Sequence, residues 1–110
     1  MPRYRRKRYL IFTLISNTDH SAKDVESALV ESMKKIFGDL GLAMSGFKFM
    51  FYDEEKNTGI VRCWHKYTDH VRASIMMIKE LKGTPAMIYV RKMTGTFKKA
   101  KRIVAALPKP

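Results

Sequence analysis

Three histidines, a single cysteine and a run of three carboxylates are the residues of this 110-residue chain with the potential for covalent or metal chemistry. Cys63 and His65 fall on the same face of an alternating strand, the spacing a thiol–imidazole pair needs. A working pair also needs a third group to orient the ring, and none is evident. A core cysteine beside an edge histidine is the simpler reading. Asp53, Glu54 and Glu55 have the oxygen ligands a divalent cation wants, but a contiguous acidic run between two strands reads as a solvated hairpin loop. His20, His65 and His70 have neither zinc-protease nor zinc-finger spacing, and one cysteine cannot complete a cysteine-rich zinc site. A Walker loop, a glycine-rich dinucleotide loop and a nucleophile elbow are all missing from the sequence. The expectation is a chain with no catalytic group, no metal and no cofactor of its own.

Binding chemistry is a different matter, because the charge is both large and segregated. Twenty-two Lys and Arg face ten Asp and Glu, for a net charge of +12. Residues 1–8 hold Arg3, Arg5, Arg6, Lys7 and Arg8 without an acid. Residues 91–110 hold Arg91, Lys92, Lys98, Lys99, Lys101, Arg102 and Lys109, again without an acid. The stretch between, 9–90, has equal numbers of acids and bases, Lys48 among the latter, so the whole excess sits at the two ends. An ordinary solvated surface mixes its signs; two cationic ends on a neutral middle point to a polyanion. Neither end has the apolar face of a membrane anchor. No apolar run approaches the roughly 20 residues that span a bilayer. The basic start followed by Tyr9–Ile15 imitates the front of a secretory signal, but no small-residue cleavage site follows. A lone cysteine fits a reducing cytoplasm.

The elements that must position these charges follow from apolar spacing. Tyr9–Ile15 is rich in β-branched and aromatic residues and predicts a buried strand. Ser21 with Asp24 resembles a capping box, and Val25, Ala28, Leu29, Met33, Ile36 and Phe37 recur at helical spacing until Gly38 and Gly41 close the helix. Gly46–Tyr52 and Ile60–His65 predict two strands around the acidic loop. Thr68 caps a second helix with Val71, Ile75, Ile78 and Leu81 inside, ended by Gly83. Ala86–Met93 is a fourth strand, and Thr94-Gly-Thr-Phe opens a basic helix through Ala106. The chain is expected to form one domain: a basic arm 1–8, a core 9–93, and a basic C-terminal helix and tail 94–110. The order β-α-β-β-α-β is that of an α+β split βαβ sandwich, ferredoxin-like or RNA-recognition-motif-like, here with an added helix. In that topology the first and fourth strands are antiparallel neighbours. Arg3–Arg8 then lies beside Arg91–Arg102, and two distant charge runs become one cationic rim.

The RNA recognition motif stacks bases on aromatic residues of its third strand. Here that strand offers only Trp64, so base stacking on the open sheet face is not expected from the motif. Along the first strand, Leu10, Phe12 and Leu14 alternate with Tyr9, Ile11, Thr13 and Ile15, and only one set can face the helices. The set of Tyr9, Ile11 and Ile15 is still apolar, which predicts cover by a protein partner, with self-association or the C-terminal helix as the alternative.

Three stretches carry a family resemblance: Gly59-Ile-Val-Arg-Cys, His70-Val-Arg-Ala-Ser-Ile, and Tyr89-Val-Arg-Lys-Met-Thr-Gly-Thr-Phe-Lys-Lys-Ala-Lys-Arg102. Together they resemble the protein component 2 family of archaeal ribonuclease P, which has eukaryotic nuclear relatives in ribonuclease P and MRP. The likeness runs from Arg8 to Arg102; the chain departs by the extension Met1–Lys7 and by ending shortly after Ala106. The resemblance implies a non-catalytic subunit of a ribonucleoprotein endoribonuclease that removes the 5′ leader of precursor tRNA. It implies that the RNA subunit does the cutting with Mg²⁺, and that the partner is component 3, a TIM-barrel-like protein, in two copies of each. Matching positions imply RNA contacts at Arg62, His70, Arg72, Arg91, Lys92, Thr94, Gly95, Thr96, Lys98, Lys99, Lys101 and Arg102. The Thr-Gly-Thr turn is a place where amides and hydroxyls at a helix start can hold a phosphate. Arg3, Arg5, Arg6, Lys7 and Arg8 are expected RNA contacts from charge alone. A ribosomal or translation-associated RNA-binding protein of the same fold is the alternative, and a small-ligand regulatory domain a more distant one.

Overall fold

The apolar run at Tyr9–Ile15 forms the middle of β1 (Lys7–Ser16) in a computed structural model that describes residues 6–108. There follow α1 (Ala22–Ser45), β2 (Lys48–Asp53), β3 (Thr58–Trp64), a 3₁₀ turn (His65–Tyr67), α2 (Thr68–Met76), β4 (Glu80–Leu81), β5 (Thr84–Thr94) and α3 (Phe97–Ala106). The strands make an antiparallel sheet in the order β2-β3-β1-β5-β4. This is the split βαβ order expected from the sequence, with β4 as an additional two-residue strand.

β1 sits at the centre because it is apolar on both faces. Leu10, Phe12 and Leu14 point to α1 and α2, where they meet Val25, Leu29, Met33, Val71 and Ile75, with Val61, Cys63 and Ile88 from the flanking strands. On the opposite face Ile11 and Ile60 meet Ala100 and Val104 of α3, flanked by Tyr9, Met50, Phe51, Phe97 and Ile103. The C-terminal helix is therefore what covers the second apolar set of β1. Ile11 is fully buried beneath it, and the Tyr9 ring is half-buried with its centroid 5.9 Å from that of Phe97. These two residues are not a free face for a protein partner while α3 is seated; Ile15 alone of the three stays open, 53% exposed.

α3 is held at three points. Thr96 caps its start, its Oγ1 accepting from the Lys99 amide at 3.2 Å. Lys101 places its ammonium 4.9 Å from the Phe51 ring centroid. At the far end Lys56, from the β2–β3 hairpin, donates to the carbonyls of Val104 and Ala105, both at 2.9 Å. A cation on the last carbonyls also complements the helix dipole.

Two glycines mark different features from those their spacing predicts. α1 does not stop at Gly38 but kinks there (φ 73, ψ 176) and resumes to Ser45, because Leu42 beyond the kink still packs on the core. Gly83 does not end α2, which stops at Met76; with Lys82 it forms the β4–β5 turn, both residues at positive φ. Ile78 and Leu81 reach the core from the connection and from β4 rather than from a helix face. The Ser21 cap is as expected, accepting from the Asp24 amide at 3.2 Å. The acidic loop has internal uses: Glu54 accepts from the Ala22 amide at the start of α1, and Asp53 accepts from the amides of Glu55 and Lys56.

Candidate nucleic-acid interface

Strand register decides which cations meet. Tyr9 pairs with Thr94, so the start of β1 lies beside the end of β5 and the first turn of α3. Arg6, Lys7, Arg8, Tyr9, Gly95 and Thr96 line a shallow cavity of about 470 Å³ at that junction. Arg8 lies so close to the turn that a side chain at Gly95 would come within 3.3 Å of its guanidinium. Lys98 and Lys99 continue the rim on the exposed side of α3, and Lys92 stands exposed opposite Ile11. Arg102 is exposed one turn further along α3.

A third segment joins them that the two-ended charge count did not reveal. β3 runs back along β1, so Lys7 pairs with Trp64, and the His65 amide bonds the Arg6 carbonyl at 2.6 Å. The 3₁₀ turn and the start of α2 therefore lie at the same end of the sheet, bringing exposed His65 and Lys66 and half-buried Tyr67. Lys48 arrives from β2 by pairing with Arg62. Asp69 is the acid in the first turn of α2. The opposite end of the molecule holds Asp19, Glu54 and Glu55 in its loops and Asp53 at the end of β2, with Asp24 and Glu80 nearby and Lys56 and Lys82 among them.

The remaining expected contacts divide. Arg62 is half-buried on β3, between Tyr9 and Lys48 in register. His70 is exposed on α2, with Phe37 and Tyr67 rings at 5.5 and 5.7 Å, and Arg72 is exposed on the same helix. Arg91 does not join the rim. It is the extra residue of a bulge, since Ile11 pairs with Lys92 and Phe12 with Val90. Its guanidinium donates to Tyr89 Oη at 2.9 Å, and it lines a separate cavity with Ile15, Lys56 and Leu107. Lys101 is turned onto the Phe51 and Phe97 rings. In the Thr-Gly-Thr turn the hydroxyls are already engaged: Thr94 donates to the Thr96 carbonyl at 3.0 Å and Thr96 caps α3. Arg3 and Arg5 lie outside the described residues.

Comparison with known proteins places this arrangement. Residues 8–105 match the Rpp14/Pop5 family. The chain belongs to that family. The relatives of this Rpp14/Pop5 chain include "Ribonuclease P protein component 2" of Pyrococcus abyssi, 32% identical over 97 residues that make up 88% of this chain and 82% of that one. The protein of the same name from Saccharolobus islandicus is 31% identical over 100 residues, 91% of this chain and 70% of the other. Among solved structures, a chain of the yeast ribonuclease MRP cryo-EM structure shares the fold with a TM-score of 0.65, covering 93% of this chain and 88% of that one at 15% identity.

Cys63 in this Rpp14/Pop5 chain is free and fully buried, and burial pushes its thiol up to about 12 from 9.0. Tyr52 is likewise raised to about 12 from 10.0, first by burial and then by the nearby Glu54 and Asp53 carboxylates. Its hydroxyl is buried without a hydrogen-bond partner. Both groups keep their protons longer in the folded state than in the unfolded chain. Their contribution to stability is therefore complete below about pH 9 and lost as pH rises toward 12. Thermal melts between pH 8 and 11 should show a steady fall in Tm, and Cys63→Ala should make that fall shallower while lowering Tm at every pH. A Tm independent of pH across this window would refute the assignment.

Proposed function

We propose that this chain is the RNA-binding protein subunit of a ribonuclease P, supporting the catalytic RNA as it removes the 5′ leader from precursor tRNA. The observation that carries the reading is the register of β1 with β5 and β3, which gathers Arg6–Arg8, Lys48, Arg62, Lys66, Lys92, Lys98 and Lys99 at one end of the sheet. Cations so gathered make a footprint for phosphates, which supply most of the affinity of RNA-binding proteins and fix register on the RNA. The RNA subunit supplies the Mg²⁺ chemistry. The protein partner is component 3, in two copies of each, and the apolar remainder around Ile15 and Met87 is where the sheet still needs cover. A reducing cytoplasm suits the buried thiol of Cys63.

Two experiments test this. Sequencing the RNA that co-purifies with the tagged chain should recover a ribonuclease P RNA; ribosomal RNA in its place would favour the translation-associated alternative. In the reconstituted holoenzyme, alanine at Glu55 should leave single-turnover cleavage of precursor tRNA unchanged. A loss of roughly a thousandfold with assembly intact is the size expected for removing a catalytic group, and would make the chain a participant in the chemistry.

A further inference from the structure

α3 covers only part of the open sheet face. It takes Tyr9, Ile11, Met50, Phe51 and Ile60. Directly opposed residues of an antiparallel pair share a face, so the pairs Lys7–Trp64, Tyr9–Arg62 and Arg62–Lys48 place Lys7, Lys48, Arg62 and Trp64 on that same side. They form a strip, the part of the rim that borders the helix on this face. Three strands at about 4.8 Å spacing make it about 10 Å wide.

The geometry points to this strip as a site for an unpaired RNA nucleotide, its base stacked on the Trp64 indole and its phosphates held by Lys7, Lys48 and Arg62. The inference deepens the RNA-binding reading above and rests on it. The indole is fixed in advance: it lies against Gly46, whose φ is +70°, and a Cβ there would come 2.5 Å from Trp64 Nε1. Little side-chain entropy is then lost when a base lands on it. Trp64 is nonetheless only half-buried, and the Lys7 ammonium lies 5.9 Å from its ring centroid. An aromatic surface interleaved with cations is the composition that holds single strands, because every base has a π-face and every nucleotide a phosphate. A duplex keeps its bases stacked within the helix and offers only backbone and 2′-hydroxyls here. An apolar protein partner would be better matched by Ile15 and Met87 at the other end of the sheet than by three cations and one ring.

Trp64 is the only tryptophan in the chain, so its fluorescence reports on this strip alone. The full chain is titrated with a ten-nucleotide single-stranded RNA, an abasic strand of the same length, and an RNA duplex. The single strand should quench the emission saturably, and the abasic strand and the duplex should bind with little quenching. Trp64→Leu should weaken single-strand binding roughly five- to hundredfold without changing the slope of log affinity on log salt, and Trp64→Phe should restore part of the loss. Binding of the single strand with its salt slope intact but no quenching overturns the stacking site and leaves the rim standing. Quenching by component 3 and not by RNA overturns it in favour of a protein contact. Absence of salt-dependent binding by any of the three probes fails the rim itself. If Trp64→Leu does not fold, the comparison of the three probes on the native chain decides.

Discussion

Replacing Lys98, Lys99 and Arg102 together with alanine should flatten the dependence of log affinity on log salt by about two to three units, because each phosphate contact contributes about 0.7 to 0.9. Between 50 and 200 mM salt that amounts to a difference of about twenty- to fortyfold in how far binding falls. All three side chains are exposed on α3, while the helix is seated by Ala100 and Val104. Alanine is also the best helix former. The fold should be untouched. The matched control is Lys34, Lys35 and Lys79 to alanine, the same loss of charge from the neutral middle. Lys48 does not belong in that control although it lies in the same stretch of sequence, because it pairs with Arg62 near the rim. Equal slopes for the two triple variants would mean that RNA senses net charge alone and that the rim is not a site.

Val104→Asp should unseat α3. Val104 is 2% exposed and packs with Ile11, Ile60 and Ala100. An unpaired carboxylate there costs several kcal/mol if the helix stays down, so the helix is expected to lift instead. Its docking energy then sets the loss, with each kcal/mol lowering Tm by about 4 to 8 °C in a domain near this size. Tryptic cleavage after Lys98, Lys99, Lys101 and Arg102 should accelerate by at least an order of magnitude, while the layer of α1 and α2 on the sheet, which has its own core, persists. The salt slope should also fall, since a detached helix no longer presents its cations with those of β1. Lys56→Ala is the milder companion, expected to cost about 1 kcal/mol for its charged hydrogen bonds to the last carbonyls. An unchanged tryptic pattern in Val104→Asp would refute the seating of α3 by this seam.

Element order was legible from the sequence because apolar spacing is set by the same core that the fold buries. The alternation of Leu10, Phe12 and Leu14 against Ile11 and Thr13 announced two covered faces. What that alternation could not say is which element covers the second face. An amphipathic C-terminal helix and a partner protein leave the same mark on β1. The glycines misled for a similar reason: Gly38 and Gly83 signal a break in helix geometry, whether that break is a kink or a hairpin turn. The rim was half legible. Charge runs in sequence singled out Arg6–Arg8 and Lys98–Lys99, and the topology sets the first run beside Gly95 and Thr96, at the turn from which α3 carries the second. Lys48 and Lys66 are lone cations in neutral stretches and became visible only through strand register. Arg91 is the opposite case: its membership of a basic run was legible, but the one-residue bulge that carries it to Tyr89 was not. Lys56, between an acidic run and Asn57, gave no sign of its work on α3.

The separation of Arg6–Arg8, Lys66 and Lys98 at one end from Asp19, Asp53, Glu54 and Glu55 at the other gives the molecule a permanent dipole along the strands. In the field of a polyanion such a body feels a torque before any contact is made. It turns its basic end forward once it comes within about a Debye length, about 8 to 10 Å at ordinary ionic strength, before the surfaces touch. Fewer collisions are then wasted on the wrong face, and this part of the salt dependence belongs to the association rate rather than to the lifetime of the complex. In the proposed RNA-binding role the acidic loops, which within the fold cap α1 and shape a hairpin, would also help to aim the opposite end.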